Sequence, residues 1–195
     1  MKIGLCKFLT VRVNGKLPVL LMKKSPLLFL FSLSFACCLS AVNLCMAEIF
    51  PNDTDSTACI SIPPLNQKVK AFVASRINKK EGNGSCWALA QGALNSAGAS
   101  WDGEYKYGLL LDPAKDCIYP GDIIQFEGVE IRYSRGDNRY EEHMEHHTAV
   151  IYKVIAKGKY ELAHQNFGRH KQVGITGLDI KNIISGHYFI YRPTR

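Results

Sequence analysis

The spacing of apolar residues along the chain predicts two helices followed by a set of strands. Apolar positions recurring at helical intervals predict an amphipathic helix over residues 65–80. A Gly-rich turn then leads to a second helix, for which Ser85 is a good N-cap residue and Gly98 a C-terminal stop. Cys86 is therefore predicted to lie in the first turn of this second helix.

The second half of the chain shows the alternation of apolar and polar residues that is typical of strands. Lys157-Gly158 predicts the tight turn of a β-hairpin, and the charged segment 132–145 is interpreted as a solvated loop. Helices followed by an antiparallel meander predict an α+β architecture. The predicted strands cover 123–126, 147–154, 160–166 and 187–192, with a loop over 99–116 and a short helix over 178–184.

The charge of the chain is concentrated in its N-terminal segment. The 195 residues, 47% of them apolar, are enough for one globular domain, and the formal net charge is +7. Six of the 24 basic residues precede residue 25, whereas all 17 acids lie at Glu48 or beyond, so the remainder is close to neutral. This distribution gives no reason to expect nucleic-acid binding.

The N-terminal segment is typical of a secretory signal. Met22-Lys23-Lys24 forms a short positive region, the run 26–42 is apolar and uncharged, and Cys45-Met46-Ala47 suits cleavage before Glu48. A transmembrane anchor is the alternative for the same run. We predict an upstream extension over 1–21, a signal over 22–47, an extended arm over 48–64 and the functional domain over 65–195. The product would be a secreted or periplasmic monomer with no membrane contact after cleavage.

Three of the seven cysteines, Cys59, Cys86 and Cys117, lie beyond the predicted leader. In an oxidising compartment, three thiols suggest one disulfide and one further cysteine. If Cys86 is a nucleophile, Cys59 and Cys117 are left to form the disulfide. The alternative is that all three remain reduced.

The predicted hairpin assembles a set of residues suited to nucleophilic catalysis. A helix N-terminus favours thiolate over thiol, but a cysteine there can also be a small buried side chain. A cysteine nucleophile needs a base, and that base needs an orienting group. Counting outward from the turn at 157–158 brings His147 close to His164 and Asn166. The expected arrangement is Cys86, then His147, then an orienting residue.

Several segments resemble papain-type cysteine peptidases. Gly84-Ser85-Cys86-Trp87-Ala88 resembles the surroundings of the papain nucleophile. Three further segments resemble the compact CHAP and NlpC/P60 amidases and endopeptidases, over roughly residues 82–192: Pro120-Gly121-Asp122-Ile123-Ile124-Gln125-Phe126, His147-Thr148-Ala149-Val150-Ile151 and Gln165-Asn166. The combination is also similar to a little-studied papain-fold family found in bacterial secreted proteins and in C-terminal domains of some fungal and plant proteins.

The resemblance implies a cysteine hydrolase that acts on a peptide or amide bond, with peptidoglycan as the leading substrate and no cofactor. Cys86 would be the nucleophile and His147 the base. CHAP domains commonly place Glu where this chain has His164, so both His164 and Asn166 are retained as candidates for the orienting residue, with Asn166 ranked slightly first. Lys80 occupies the position of the papain oxyanion glutamine.

Two other interpretations compete with catalysis. The histidines and glutamates of 142–147 could bind a metal, but no His-Glu-x-x-His pattern is present, and we predict none. A silent papain-fold module that holds a peptide or protein partner is the second alternative. Gln125 could help to bind an oxyanion or could be an ordinary strand residue, and Trp87 could line the cleft or belong to the core.

Overall fold

A computed structural model describes residues 10–14, 59, 61–168 and 170–195, all of which belong to one compact unit. The predicted signal over 22–47 and most of the extended arm lie outside the described residues. No helix in the described part has the length and hydropathy needed to span a membrane.

The described residues form two α-helices and a seven-stranded antiparallel sheet, which confirms the predicted α+β architecture. The helices are α1 (Pro64–Arg76) and α2 (Cys86–Ala97). The strands are β1 (Thr10–Asn14), β2 (Leu109–Leu111), β3 (Ile123–Arg135), β4 (Asn138–Ala156), β5 (Lys159–His164), β6 (Gly174–Asp179) and β7 (Ile183–Arg192).

The sheet runs in the order β2-β7-β3-β4-β5-β6, and β1 pairs separately with the outer part of β4. Both helices pack on one face of the sheet, where Val69, Leu89 and Val150 belong to a common apolar cluster. A second cluster, which includes Phe126, Ile151 and Leu162, contains residues of the sheet alone. Because the helices pack on the sheet through the first cluster, the start of α2 lies beside the middle strands.

Both helices were correctly predicted, and their ends have local explanations. The Ser85 hydroxyl accepts a hydrogen bond from the N–H of Ala88, and Gly98 ends α2 in the left-handed conformation with φ at 71°. Helix α1 ends at Arg76, earlier than residue 80, because Asn78 turns the chain with φ at 61° and Ile77 forms a bridge with Val173.

The prediction of a solvated loop over 132–145 was wrong. Strands β3 and β4 continue as a two-stranded ribbon that turns at 136–137. Paired side chains across the ribbon stabilise it: Arg132 lies 3.1 Å from Glu141, and the rings of Tyr133 and Tyr140 stack at 5.0 Å. These cross-strand contacts stabilise the ribbon in place of a continuous buried face. The alternation of apolar and polar residues that predicts strands is therefore missing there.

Three smaller elements also differ from the predictions. The segment 178–184 contains the end of β6, a single 3-10 turn at Ile180–Asn182 and the start of β7. Strand β5 ends at His164 and not at residue 166, and the predicted loop 99–116 contains β2. The turn of the β4–β5 hairpin follows Ala156 as predicted, since Ala156 pairs with Lys159.

Buried polar contacts fix the turn that begins β3. The Asp122 carboxylate, which is fully buried, accepts hydrogen bonds from the Asn66 side chain at 2.7 Å and from the N–H of Tyr119 at 2.8 Å. The Arg192 guanidinium pairs with the same carboxylate at 3.1 Å and donates to the carbonyl oxygen of Cys117. Helix α1, the turn and the last strand are thereby joined at one charged group.

The structure contains the predicted disulfide between Cys59 and Cys117. It joins the segment before α1 to the loop before β3 and closes a loop with a sequence separation of 58 residues. Both helices and Cys86 lie inside this loop. Chain entropy alone assigns such a closure a stabilisation of roughly 4 kcal/mol.

Candidate active site

Cys86 is the first residue of α2, as predicted, and only 1% of its surface is exposed. The backbone N–H of Thr148 donates a hydrogen bond to the Cys86 sulfur at 3.4 Å. A hydrogen bond to sulfur and the positive end of a helix dipole both stabilise a thiolate. Cys86 is disulfide-bonded in this structure, so it could act as a nucleophile only in its reduced form.

The end of β5 explains why the N–H of Thr148 is available to Cys86. Pairing between β4 and β5 runs from Ala156↔Lys159 to Val150↔Ala163 and stops there. Thr148 lies two residues beyond the last pair, so its N–H is outside the ladder with β5. The sulfur of Cys86 occupies the position that a carbonyl of β5 would otherwise take.

Gln165, which the sequence analysis did not assign to the site, holds the turn before Cys86. Its fully buried carboxamide accepts from the N–H of Glu81 at 3.0 Å and donates to the carbonyl of Glu81 at 2.8 Å. It also donates to the carbonyl of Ser85 at 2.7 Å. The residue after β5 therefore fixes the segment that leads into Cys86.

His147 and His164 form a buried pair. The Nε2 atom of His147 lies 2.7 Å from Nδ1 of His164, and each residue is 2% exposed. The Nε2 atom of His164 lies 2.9 Å from the hydroxyl of Thr176 on β6. With Nε2 of His147 engaged by His164, its Nδ1 is the atom left to act as a base. His147 on β4, His164 on β5 and Thr176 on β6 thus form one continuous line of polar groups across three adjacent strands.

Both histidines are held in the neutral form. Burial lowers the pKa of His147 to about 4, and the neighbouring His146 adds a smaller effect in the same direction. Burial, followed by the proximity of His147, lowers the pKa of His164 well below its usual value of 6.5. A neutral imidazole can accept a proton from a thiol, whereas an imidazolium cannot.

Asn166 follows the strand that carries His164 and has a left-handed backbone with φ at 60°. Extrapolating the register from Val150↔Ala163 would place Asn166 opposite His147, as the hairpin count predicts. Strand β5 has already ended at that point, and the side chain that reaches His147 is His164. The geometry therefore favours His164 as the orienting residue, and the role of Asn166 stays a prediction.

Gln125 is a buried network residue whose amide is already engaged. Its Nε2 donates to Glu127 at 2.9 Å and to the carbonyl of Phe126 at 3.3 Å, while its oxygen accepts from Thr148 at 2.6 Å. Both amide hydrogens are thus used within the protein. The arrangement favours the alternative of a strand residue bonded to its neighbours, and the oxyanion role of Gln125 stays a prediction.

Trp87 lies at the edge of the site and joins α2 to the loop over 101–107. Its ring nitrogen donates to the carbonyl of Glu104 at 2.6 Å, and its ring lies 5.7 Å from that of Trp101. His146 lies nearby, paired with Glu127 at 2.8 Å and in edge contact with Tyr105 at 4.2 Å. Trp87 is half-buried, which suits a wall of the site.

The described residues contain no group of three or more His, Cys, Asp or Glu side chains arranged to hold a metal ion. Residues 142–147, the metal candidates, alternate along β4, and this alternation directs successive side chains to opposite faces of the sheet. One of these candidates, His146, is paired with the carboxylate of Glu127.

Cys86 begins a helix that packs beside an antiparallel sheet, and this sheet carries a pair of histidines. The arrangement defines a papain-like cysteine proteinase fold. Residues 65–195 match the family model of the AIM3/BBC1 cysteine proteinase-fold domain. The chain belongs to this family. No curated protein matches the chain.

Solved structures with a similar fold include two of Ly7917. The first is 14% identical with a TM-score of 0.40, and the alignment covers 66% of this chain and 62% of that one. The second, a complex with the hydrolysing product of MDP, is 14% identical with a TM-score of 0.41 and coverages of 66% and 63%. The chain thus spans less than two thirds of either structure.

Proposed function

We propose that this domain is a cysteine hydrolase of peptide or amide bonds, with Cys86 as nucleophile, His147 as general base and His164 as the residue that orients His147. The buried contact of 2.7 Å between His147 and His164 is the observation that carries this proposal. The hydrogen bond from the N–H of Thr148 to the Cys86 sulfur supports it further, because Thr148 directly follows His147.

The proposed reaction uses each group in a defined step. Nδ1 of neutral His147 accepts the thiol proton of reduced Cys86, and the sulfur attacks the carbonyl carbon of the scissile bond. His147 then gives this proton to the leaving amine as the C–N bond breaks. Water, deprotonated by His147, hydrolyses the thioester and restores the thiol. The backbone N–H of Cys86, at the start of α2, faces the oxyanion.

The low pKa of His147 affects the first step of this mechanism. A site with a preformed thiolate and imidazolium would require His147 to be charged near neutral pH. Burial lowers the pKa of His147 to about 4 while Cys86 is disulfide-bonded, so we propose that a neutral imidazole meets the reduced thiol and that proton transfer accompanies attack on the carbonyl. Hydrogen bonding from Thr148 and the helix dipole offset part of the cost of forming the buried thiolate.

For the substrate, we propose a peptide of the bacterial cell wall. The support is the signal-like N-terminal segment, which would direct a papain-fold hydrolase to the compartment where such peptides occur. Secretion itself is part of the proposal. N-terminal sequencing of exported protein should show a chain that starts at Glu48, and a retained Met1 or Met22 would contradict it.

Labelling tests the chemistry independently of the substrate. After mild reduction and desalting, iodoacetamide should alkylate Cys86 faster in the native protein than in urea, with each cysteine resolved by mass spectrometry. His147→Gln should remove this advantage, and His143→Gln, an exposed residue on the same strand, should retain it. Equal rates for native and denatured Cys86 would contradict the mechanism.

Incubation with peptidoglycan tests the substrate. Wild-type protein should release new amino groups, and Cys86→Ser should release none. If Cys86 is reactive but no amine appears, the cell-wall assignment is wrong and a protein substrate replaces it. If Cys86 is unreactive, the fold serves as a silent module that binds a peptide or protein partner.

A further inference from the structure

The mechanism uses His147 and His164 but leaves unexplained the contact at the far end of this pair. Nε2 of His164 lies 2.9 Å from the hydroxyl of Thr176. Thr176 lies on β6 at the edge of the sheet, where Leu162↔Thr176 and His164↔Gly174 are register pairs with β5. We propose that Thr176 is a positioning residue, whose hydroxyl oxygen accepts a hydrogen bond from His164 and thereby fixes the ring nitrogen that His164 presents to His147. This inference rests on the proposed function.

The direction of each hydrogen bond follows from the task of His147. To take the thiol proton at Nδ1, His147 must carry its own hydrogen at Nε2, because a neutral imidazole has one N–H. That hydrogen is donated to Nδ1 of His164, 2.7 Å away. Nδ1 of His164 must then be an acceptor, so the hydrogen of His164 lies on Nε2. Thr176 is the partner of that N–H.

Proton transfer makes this direction obligatory. Once His147 has taken the proton, both of its ring nitrogens carry hydrogen, and its Nε2–H can only donate. The opposite arrangement, in which His164 donates to His147, is available only while His147 is neutral. The Thr176 hydroxyl accepts the N–H of His164 both before the reaction and during it, and so holds His164 in the arrangement that the reaction needs. The buried His164 N–H would otherwise lose its partner as the charge forms.

The first experiment reads the hydrogen positions directly. Nitrogen-15 NMR of the imidazole rings at pH 8 should show His147 and His164 both protonated at Nε2 in the wild-type protein. Protonation of His164 at Nδ1 would overturn the inference, whether or not the protein is active.

The second experiment measures the contribution of the hydroxyl. Thr176→Val keeps the β-branched shape and removes the hydroxyl, and Thr176→Ser keeps the hydroxyl. Alkylation of reduced Cys86 by iodoacetamide should slow by about two- to tenfold in T176V, the range expected for one hydrogen bond, and should recover in T176S. Ile175→Val, an exposed neighbour on β6, should leave the rate unchanged.

The outcomes separate this inference from the proposed function. Rapid alkylation in the wild type that is unchanged in T176V overturns the role of Thr176 and leaves Cys86 as the nucleophile. Wild-type alkylation no faster than in urea overturns the proposed function instead. If T176V slows the alkylation of Cys86 and T176S does not restore the rate, the slower rate comes from altered strand packing. That result also overturns the inference.

Discussion

The side-chain amide of Gln165 donates a hydrogen bond to the backbone carbonyl of Ser85, 2.7 Å away, although the two residues are 80 positions apart. Ser85 is the N-cap residue of the helix that begins with Cys86. The position of Cys86 therefore depends on a glutamine just after β5, the strand that carries His164.

Gln165→Leu should lower the free energy of unfolding by about 2–3 kcal/mol, because buried backbone groups of Glu81 and Ser85 lose their partner. Gln165→Glu should be at least as severe, since a carboxylate cannot donate to the two carbonyls. Urea unfolding measures both. Gln172→Leu, an exposed residue in the same part of the chain, is the control and should change little. A small effect of Q165L would show that the turn is held by other contacts.

His164→Gln and Asn166→Gly distinguish the two candidates for the orienting residue. Asn166 has φ at 60°, which glycine adopts without strain, so N166G should retain the fold. If His164 orients His147, alkylation of Cys86 should fall at least about tenfold in H164Q and stay within about twofold in N166G. The reverse pattern would assign the orienting role to Asn166.

Stability should decrease as pH falls from 7 towards 4. His147 and His164 have folded pKa values below their unfolded value of 6.5, so the unfolded chain binds more protons in this interval. The stability that the two neutral histidines contribute is fully present above their unfolded pKa. It is lost as the pH falls from that value to their folded pKa. From its pKa of about 4, His147 alone should cost roughly 2 kcal/mol at pH 5 relative to pH 8.

Urea unfolding at pH 8, 6.5 and 5 measures this dependence, and H147Q should flatten it. Burial raises the pKa of Asp122, which acts with the opposite sign, so the difference between H147Q and wild type is the informative quantity. An identical slope in both proteins would show that the pKa of His147 is the same in the folded and unfolded states.

Gly121→Ala should be much more destabilising than Gly136→Ala, although both glycines have positive φ, 93° and 57° respectively. A methyl group at Gly121 would clash with the backbone carbonyl of Asn66, whereas at Gly136 it would meet no atom within 4 Å. We expect about 1 kcal/mol for G136A and more than about 3 kcal/mol for G121A. Thermal unfolding would compare the two, and equal losses would show that α1 shifts freely away from the turn.

Local patterns were enough to place Cys86 at a helix start and His147 on a hairpin strand, but not to predict the contacts around them. The cap at Ser85 and the turn at 157–158 each depend on adjacent residues, so sequence alone located the helix start and the hairpin. The choice between His164 and Asn166 depends on where β5 stops, which the strand pattern does not define. Gln165 and Thr176 act on partners brought close only by tertiary folding, and no spacing rule indicates them.

The ribbon formed by the outer parts of β3 and β4 was missed for a different reason. Strand prediction depends on one apolar face, but this ribbon is stabilised by Arg132 with Glu141 and by the stacked rings of Tyr133 and Tyr140. Such pairs can be recognised only after the register is known. A charged segment with alternating aromatic residues therefore gives the same local signal as a solvated loop.

The Cys59–Cys117 disulfide also determines what proteolysis can do to this molecule. Residues 59–117 form a covalent ring that contains Cys86, and the exposed Gly103 lies within it. A protease that cuts once inside the ring converts the protein into two polypeptides that stay attached to each other. Such a two-chain form would migrate as a single species on a non-reducing gel and separate into fragments only when the disulfide is reduced.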